Sequence, residues 1–275
     1  LTEPTASQTD FAEIGGARIY YETAGDGYPL LLLHAGVADS RMWDDQWQPF
    51  ARRYRAIRYD LPGFGRSQLP ARLYAAHEEV ASLLRSLGVG RAHVVGVSWG
   101  GRIALDFTLT HPQMVSALVL VCPTVSGEQP SEAVRRFGEQ EEALLERGDL
   151  AAATELNLRM WVDGPRRAPG QVDPSVRERV REMQHHAFTV PMPEGFEPLS
   201  LEPPAIERLA EVRVPTLVVV GDHDVEDKLA FADRLTAEIP GARKIVIAGA
   251  AHMVSMEQPA EFNRIVLDFL AERDS

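Results

Sequence analysis

The chain has 275 residues, 45% hydrophobic and 25% charged, a globular mix long enough to bury a sizeable core, which excludes global disorder and collagen-like or disulfide-stapled folds. Its 28 Lys and Arg against 40 Asp and Glu leave a net charge of −12, which opposes binding to nucleic-acid phosphates or anionic membranes. A single cysteine, Cys122, excludes an intramolecular disulfide and a cysteine-based zinc cluster, and points to a cytoplasmic, reducing compartment.

Residues 1–10 are polar, contain no apolar stretch of a signal peptide, and read as a flexible tail. Beyond them, apolar runs of four to eight residues alternate with longer helical patterns. Residues 17–23 alternate like a half-buried strand, and residues 30–33 are a leucine block entering His34. These two runs lie close together near Gly15-Gly16 and are expected to pair as an antiparallel hairpin at one sheet edge. Residues 55–60 end in the turn Leu61-Pro62-Gly63, and residues 92–97 are β-branched and bounded by glycine. Three further runs, 117–122, 214–220 and 244–248, stop at Pro123, Gly221 and Gly249. Helical stretches at 73–87, 99–110, 229–239 and 259–271 separate them. Such alternation predicts an α/β fold, a mostly parallel sheet covered by helices on both faces.

The alternation breaks between residues 124 and 208. Residues 131–147 and 149–162 read as helices around Gly148, and residues 173–188 as a third with Pro174 near its start. Residues 189–204 hold five prolines, too many for regular structure. The expected organisation is a core of residues 11–123 and 209–275 interrupted by a helical lid at 124–208.

The chemistry-bearing residues fall at the ends of the predicted strands. Gly96-Val97-Ser98-Trp99-Gly100 is a G-x-S-x-G segment between a strand and a helix, the setting of a nucleophile elbow. Flanking glycines remove the Cβ atoms that would clash at so sharp a turn. A serine hydroxyl needs a base, and His252 sits in the loop after the last strand. Loops at the carboxyl ends of parallel strands converge on one crevice. The base needs an orienting carboxylate, and both Asp222 and Asp224 follow the run at 214–220. An oxyanion would be held by the backbone N–H of Trp99 and of Gly36, with Val37 as the alternative to Gly36.

Together with Leu32-Leu33-His34-Ala35-Gly36, the segment Arg58-Tyr59-Asp60-Leu61-Pro62-Gly63-Phe64-Gly65-Arg66-Ser67 and Ala251-His252, this elbow resembles the α/β-hydrolase superfamily, of the kind with a helical cap after the sixth strand. The resemblance spans nearly all of residues 11–272. It implies an eight-stranded, mostly parallel sheet, and it favours Asp224 over Asp222 as the catalytic acid, leaving Asp222 to cap its own turn. Residues 60–67 would be a structural turn. These residues and Met42-Trp43-Asp44 are most similar to 3-oxoadipate enol-lactonases and small carboxylesterases. The implied activity is therefore hydrolysis of a small to medium ester or lactone through an acyl-enzyme, without cofactor or metal. A serine nucleophile argues against the dehalogenases and epoxide hydrolases of this fold, which use aspartate. C–C bond hydrolysis, perhydrolysis and a non-catalytic receptor remain the alternatives. Two departures stand out: Ala35 where the family usually has glycine, and Trp99 where it usually has Met or Gln. The indole is expected to narrow the pocket toward small acyl groups.

The remaining candidates for pocket lining are His34, Val37, Cys122, Trp161, Phe188 and Met253. Cys122 reads mainly as a small core hydrophobe, His34 as a loop-fixing hydrogen bonder, and His185-His186 as a solvated pair in the lid. A small-molecule substrate is the one partner implied, and the chain reads equally as a monomer or a homodimer.

Overall fold

The apolar runs become strands β1 (Ser7–Ile14), β2 (Ala17–Ala24), β3 (Tyr28–Leu33), β4 (Tyr54–Tyr59), β5 (Ala92–Val97), β6 (Val115–Val121), β7 (Thr216–Gly221) and β8 (Arg243–Ile247) of a single sheet in a computed structural model that describes residues 5–168 and 170–273. Their spatial order is β1-β2-β4-β3-β5-β6-β7-β8. Pairings β1–β2 and β2–β4 are antiparallel, and every later pairing is parallel. The central strands are buried on both faces, which is why Leu30 to Leu33 form an unbroken apolar run with no exposure.

Two expectations at the amino-terminal edge are corrected. Residues 7–10 are not a tail; they pair with β2, Ser7 opposite Ala24 and Asp10 opposite Tyr21. This edge stretch is exposed, so it carries no apolar signal, and backbone pairing alone makes it a strand. The hairpin across Gly15-Gly16 joins β1 to β2. The runs at 17–23 and 30–33 are not neighbours, because β4 lies between β2 and β3.

Helices α1 (Asp44–Ala51), α2 (Ala76–Ser86), α3 (Trp99–Thr110), α4 (Glu132–Glu146), α5 (Leu150–Asn157), α6 (Pro174–Thr189), α7 (Glu226–Glu238), α8 (Val254–Glu257) and α9 (Pro259–Ala271) complete the fold. The helix expected from residue 73 starts only at Ala76, because Leu73–Tyr74 pairs in parallel with Glu197–Pro198. Among the described residues no helix is long and apolar enough to cross a membrane.

The stretch between β6 and β7 carries α4, α5 and α6. Local caps set their starts: Ser131 Oγ accepts from Val134 N–H, Asp149 from Ala152 N–H, and Asp173 from Ser175 N–H ahead of Pro174. The chain after α5 widens into a π turn (Leu158–Asp163) that ends at Gly164, whose φ of 76° is left-handed. Helix α6 docks onto the core along one face. Arg179 reaches Asp45 at 2.8 Å, Asp39 N–H points to Met183 Sδ at 3.4 Å, and His186 Nε2 meets Gly65 O at 2.8 Å. Both histidines are exposed, as a solvated pair is expected to be, and each also has one partner, His185 bonding Thr154 Oγ1 at 3.3 Å.

Candidate active site

Strands β3, β5, β6, β7 and β8 run parallel, so the loops leaving their carboxyl ends gather on one side of the sheet. Ser98 opens the loop after β5 at φ 54° and ψ −113°, a strained conformation for a non-glycine residue. Its N–H donates to Val121 O at 2.8 Å, and its carbonyl accepts from Arg102 and Thr124 N–H at 3.0 and 3.2 Å. A Cβ on Gly96 would stand 2.3 Å from Gly100 O, and one on Gly100 2.5 Å from the carbonyls of Leu33 and His34. The glycines of the motif are therefore demanded by close backbone approach, as the elbow reading expects.

His252 and Asp224 meet 2.9 Å apart, Nδ1 against Oδ2, with each residue 1% exposed. An Nδ1–H donated to the carboxylate leaves Nε2 as the ring nitrogen able to accept a proton. Asp224 Oδ1 also accepts from Val225 N–H at 2.7 Å. Asp222 points elsewhere: its Oδ1 accepts from Gly249 N–H at 2.8 Å. It ties the β7 loop to the loop carrying His252, instead of capping its own turn.

The two expected oxyanion donors belong to neighbouring residues. A Cβ on Gly36 would lie 3.4 Å from Trp99 Cβ. The first N–H groups of α3 have no acceptor within the helix and so face outward from its start. The Trp99 indole is 38% exposed, with the Arg102 guanidinium 4.8 Å from its ring, so it stands at the surface instead of deep beside the nucleophile. That removes the reason to expect a narrowed acyl pocket.

His34 lies wholly buried behind this loop. Its Nε2 accepts from Leu61 N–H and its Nδ1–H donates to Ala35 O, both at 2.8 Å. Burial lowers its pKa and keeps the ring neutral, as these bonds require. It fixes the loop and does not line a pocket. Asp60 locks the following turn, accepting from Ser40 and Arg66 N–H at 2.8 Å each.

Of the other lining candidates, Trp161 and Cys122 come to His252. The Trp161 ring centroid is 4.8 Å from that of His252, and Phe137 meets Trp161 edge-on at 5.4 Å. Phe137 was not among the expected residues; its signal is that it is the one aromatic side chain of α4. Cys122 offers Sγ within 4.8 Å of ligand atoms of Asp224 and His252. Burial pushes the thiol well above its ordinary pKa, and the Asp224 charge adds to this. A thiol so held is a poor metal ligand. Val37 is buried next to Gly36, Met253 belongs to the core, and Phe188 is half-buried on α6.

The sequence profile of the alpha/beta hydrolase family matches residues 30–265. A protein of Azorhizobium caulinodans, provisionally named carbamate hydrolase RutD, is 30% identical over 96% of this chain and 99% of its own. The 2-hydroxy-6-oxo-6-phenylhexa-2,4-dienoate hydrolase of Comamonas testosteroni is 27% identical over 99% of this chain and all of its own. The solved structure of Est816, an N-acyl homoserine lactone degrading enzyme, superposes with a TM-score of 0.75 and 28% identity, covering 94% of this chain and 100% of that one. The fold, the elbow and these matches agree: the chain belongs to the alpha/beta hydrolase family.

Proposed function

We propose that this hydrolase cleaves a carboxylic ester or lactone of small to medium size through an acyl-enzyme on Ser98. The observation that carries the reading is the buried His252–Asp224 hydrogen bond, made by loops that open on the same side of the sheet as the Ser98 elbow.

In this reading His252 Nε2 takes the Ser98 proton as Oγ attacks the carbonyl carbon. The N–H groups of Trp99 and Gly36 hold the oxyanion. As the tetrahedral species collapses, the carbonyl carbon–oxygen bond to the leaving group breaks and His252 protonates that oxygen. Water, deprotonated by the same imidazole, then attacks the acyl-enzyme and releases Ser98. Asp224 keeps His252 in one tautomer and balances its charge. An ester yields an acid and an alcohol, a lactone a single hydroxy acid. The similarity to Est816 supports including lactones.

Ser98→Ala tests this directly. Hydrolysis of p-nitrophenyl acetate should fall by about 10⁴-fold or more, and labelling by a fluorophosphonate should vanish while the melting temperature holds. An active Ser98→Ala protein overturns the assignment. A second reading, C–C bond hydrolysis on the same three residues, draws on the similarity to the dienoate hydrolase. Turnover of a vinylogous diketone with no turnover of esters or lactones would replace the first reading by the second.

A further inference from the structure

A buried ion pair outside the triad joins the helical cap to the loop that carries His252. Arg167 and Glu257 are paired with their side chains only 6% and 5% exposed. Taking two charges out of water is costly unless every donor and lone pair is used. Here they are. Arg167 Nε donates to Asp163 O at 2.7 Å and Nη2 to Val162 O at 2.6 Å, gripping the end of the π turn that carries Trp161. Its Nη1 reaches Gly249 O at 3.3 Å as well as Glu257. Glu257 in turn accepts from Ala251 N–H at 3.0 Å, and the Met253 N–H also faces its carboxylate. Those two N–H groups flank His252. Burial lifts the Glu257 carboxyl above its ordinary pKa, and the guanidinium and the N–H groups oppose that rise. Nearby, the cap backbone presses on the same loop: a Cβ on Gly164 would lie 2.8 Å from Ala251 Cβ and 2.9 Å from His223 O.

We infer that Arg167 and Glu257 form a clasp that positions His252 by fastening the cap to the loop that carries it. Both are positioning residues, and the inference rests on the serine-hydrolase reading above. The clasp holds the imidazole from two directions. Glu257 fixes the backbone on either side of the ring, and Arg167 fixes the turn whose Trp161 lies against it. Neither residue touches the reacting atoms. Misplacement of a catalytic base by about 1 Å costs on the order of 100-fold in rate, so loosening either half should show in the chemistry before it shows in the fold.

The test is the second-order rate at which a fluorophosphonate labels Ser98, which reads base-assisted activation without knowledge of the natural substrate. Arg167→Met and Glu257→Gln should each slow labelling by about 10- to 100-fold. The pair of changes together should be no slower than the slower single variant, because both break one coupled unit. On p-nitrophenyl acetate the loss should fall on kcat, with KM within about twofold. Glu257→Gln, which keeps an acceptor for Ala251 N–H, should retain more activity than Glu257→Leu. If a single variant fails to fold, Arg167→Met with Glu257→Leu replaces the buried pair by apolar side chains of similar volume, a change that folds tolerate. It leaves no unpaired charge buried, so it should melt above the single variant that failed, and it should still label slowly. Folded variants that label at the wild-type rate overturn the clasp and leave the serine-hydrolase reading standing. A wild-type protein that does not label at all overturns that reading, and the clasp with it.

Discussion

Trp161 lies against the imidazole of His252, their ring centroids 4.8 Å apart and their planes tilted by 43°. In acyl transfer the atom nearest the general acid is the leaving oxygen. On the serine-hydrolase reading Trp161 would wall the leaving-group side of the site, and an aromatic wall favours flat, apolar leaving groups. For Trp161→Ala, KM for an aryl acetate should rise by about tenfold, the equivalent of ~1.4 kcal/mol. Its kcat should change by less than about threefold. Ethyl acetate, with no ring to lose contact, should be little affected. Steady-state kinetics on the two esters check this, and equal losses on both would remove Trp161 from leaving-group selection.

Asp224 and Asp222 are two residues apart and hold different partners, one the His252 ring and the other the Gly249 N–H. Asp224→Asn keeps the shape but presents the wrong hydrogen-bonding group to Nδ1, and kcat should drop by about 10⁴-fold. Asp222→Asn should cost less than about tenfold in kcat and act mainly on stability, because a neutral oxygen still accepts from Gly249 at reduced strength. Measured kcat values and thermal melts separate the two. A collapse of activity in Asp222→Asn would reverse the assignment.

The elbow was readable in the sequence because its constraint is steric and local: Gly96 and Gly100 sit where a Cβ would meet backbone oxygen. His252 was readable from its place after the last strand, since parallel topology brings distant loops together. What escaped were pairings that depend on distant chain. Residues 7–10 are strand only because β2 offers them partners. Insertion of β4 between β2 and β3 has no local signature. Asp222 reaches a residue 27 positions away. Selection of Trp161 over Phe188 as the residue on His252 follows from the π turn and its fastening by Arg167, which no helical periodicity encodes.

The glycines of the site differ in what they tolerate. On Gly100 a methyl group meets the carbonyls of Leu33 and His34 at 2.5 Å, and neither strand backbone can retreat. Gly100→Ala should destabilise the protein by about 3 kcal/mol or more, as overpacking against backbone does. On Gly36 the nearest atom is Trp99 Cβ at 3.4 Å, an ordinary contact. Gly36→Ala should fold with a stability change below about 1 kcal/mol and keep its N–H donor. Chemical denaturation of both variants tests the contrast, and a Gly100→Ala protein as stable as Gly36→Ala would refute it.

Glu155 ties the cap helices together. It accepts from Arg177 at 2.6 Å and Arg181 at 3.0 Å, with Arg159 at 3.3 Å. Chiefly through the Arg177 hydrogen bond, its carboxyl is held down to about 2, against burial, which pulls the other way. A folded-state pKa below the unfolded one adds stability that is complete above the ordinary carboxylate range and is lost as pH falls through the folded value. The window here runs from about 4.5 down to about 2. Because the side chain is 32% exposed, solvent screening reduces the contribution to about 1 kcal/mol. Glu155→Gln should therefore be about 1 kcal/mol less stable than wild type at pH 7. That gap should shrink steadily below pH 4.5, be much reduced at pH 2.5 and close only as pH falls through about 2. Urea denaturation of both proteins across this range isolates Glu155, since every other titrating group is common to the pair. A gap that stays constant to pH 2.5 would mean that the amide loses packing or geometry rather than charge.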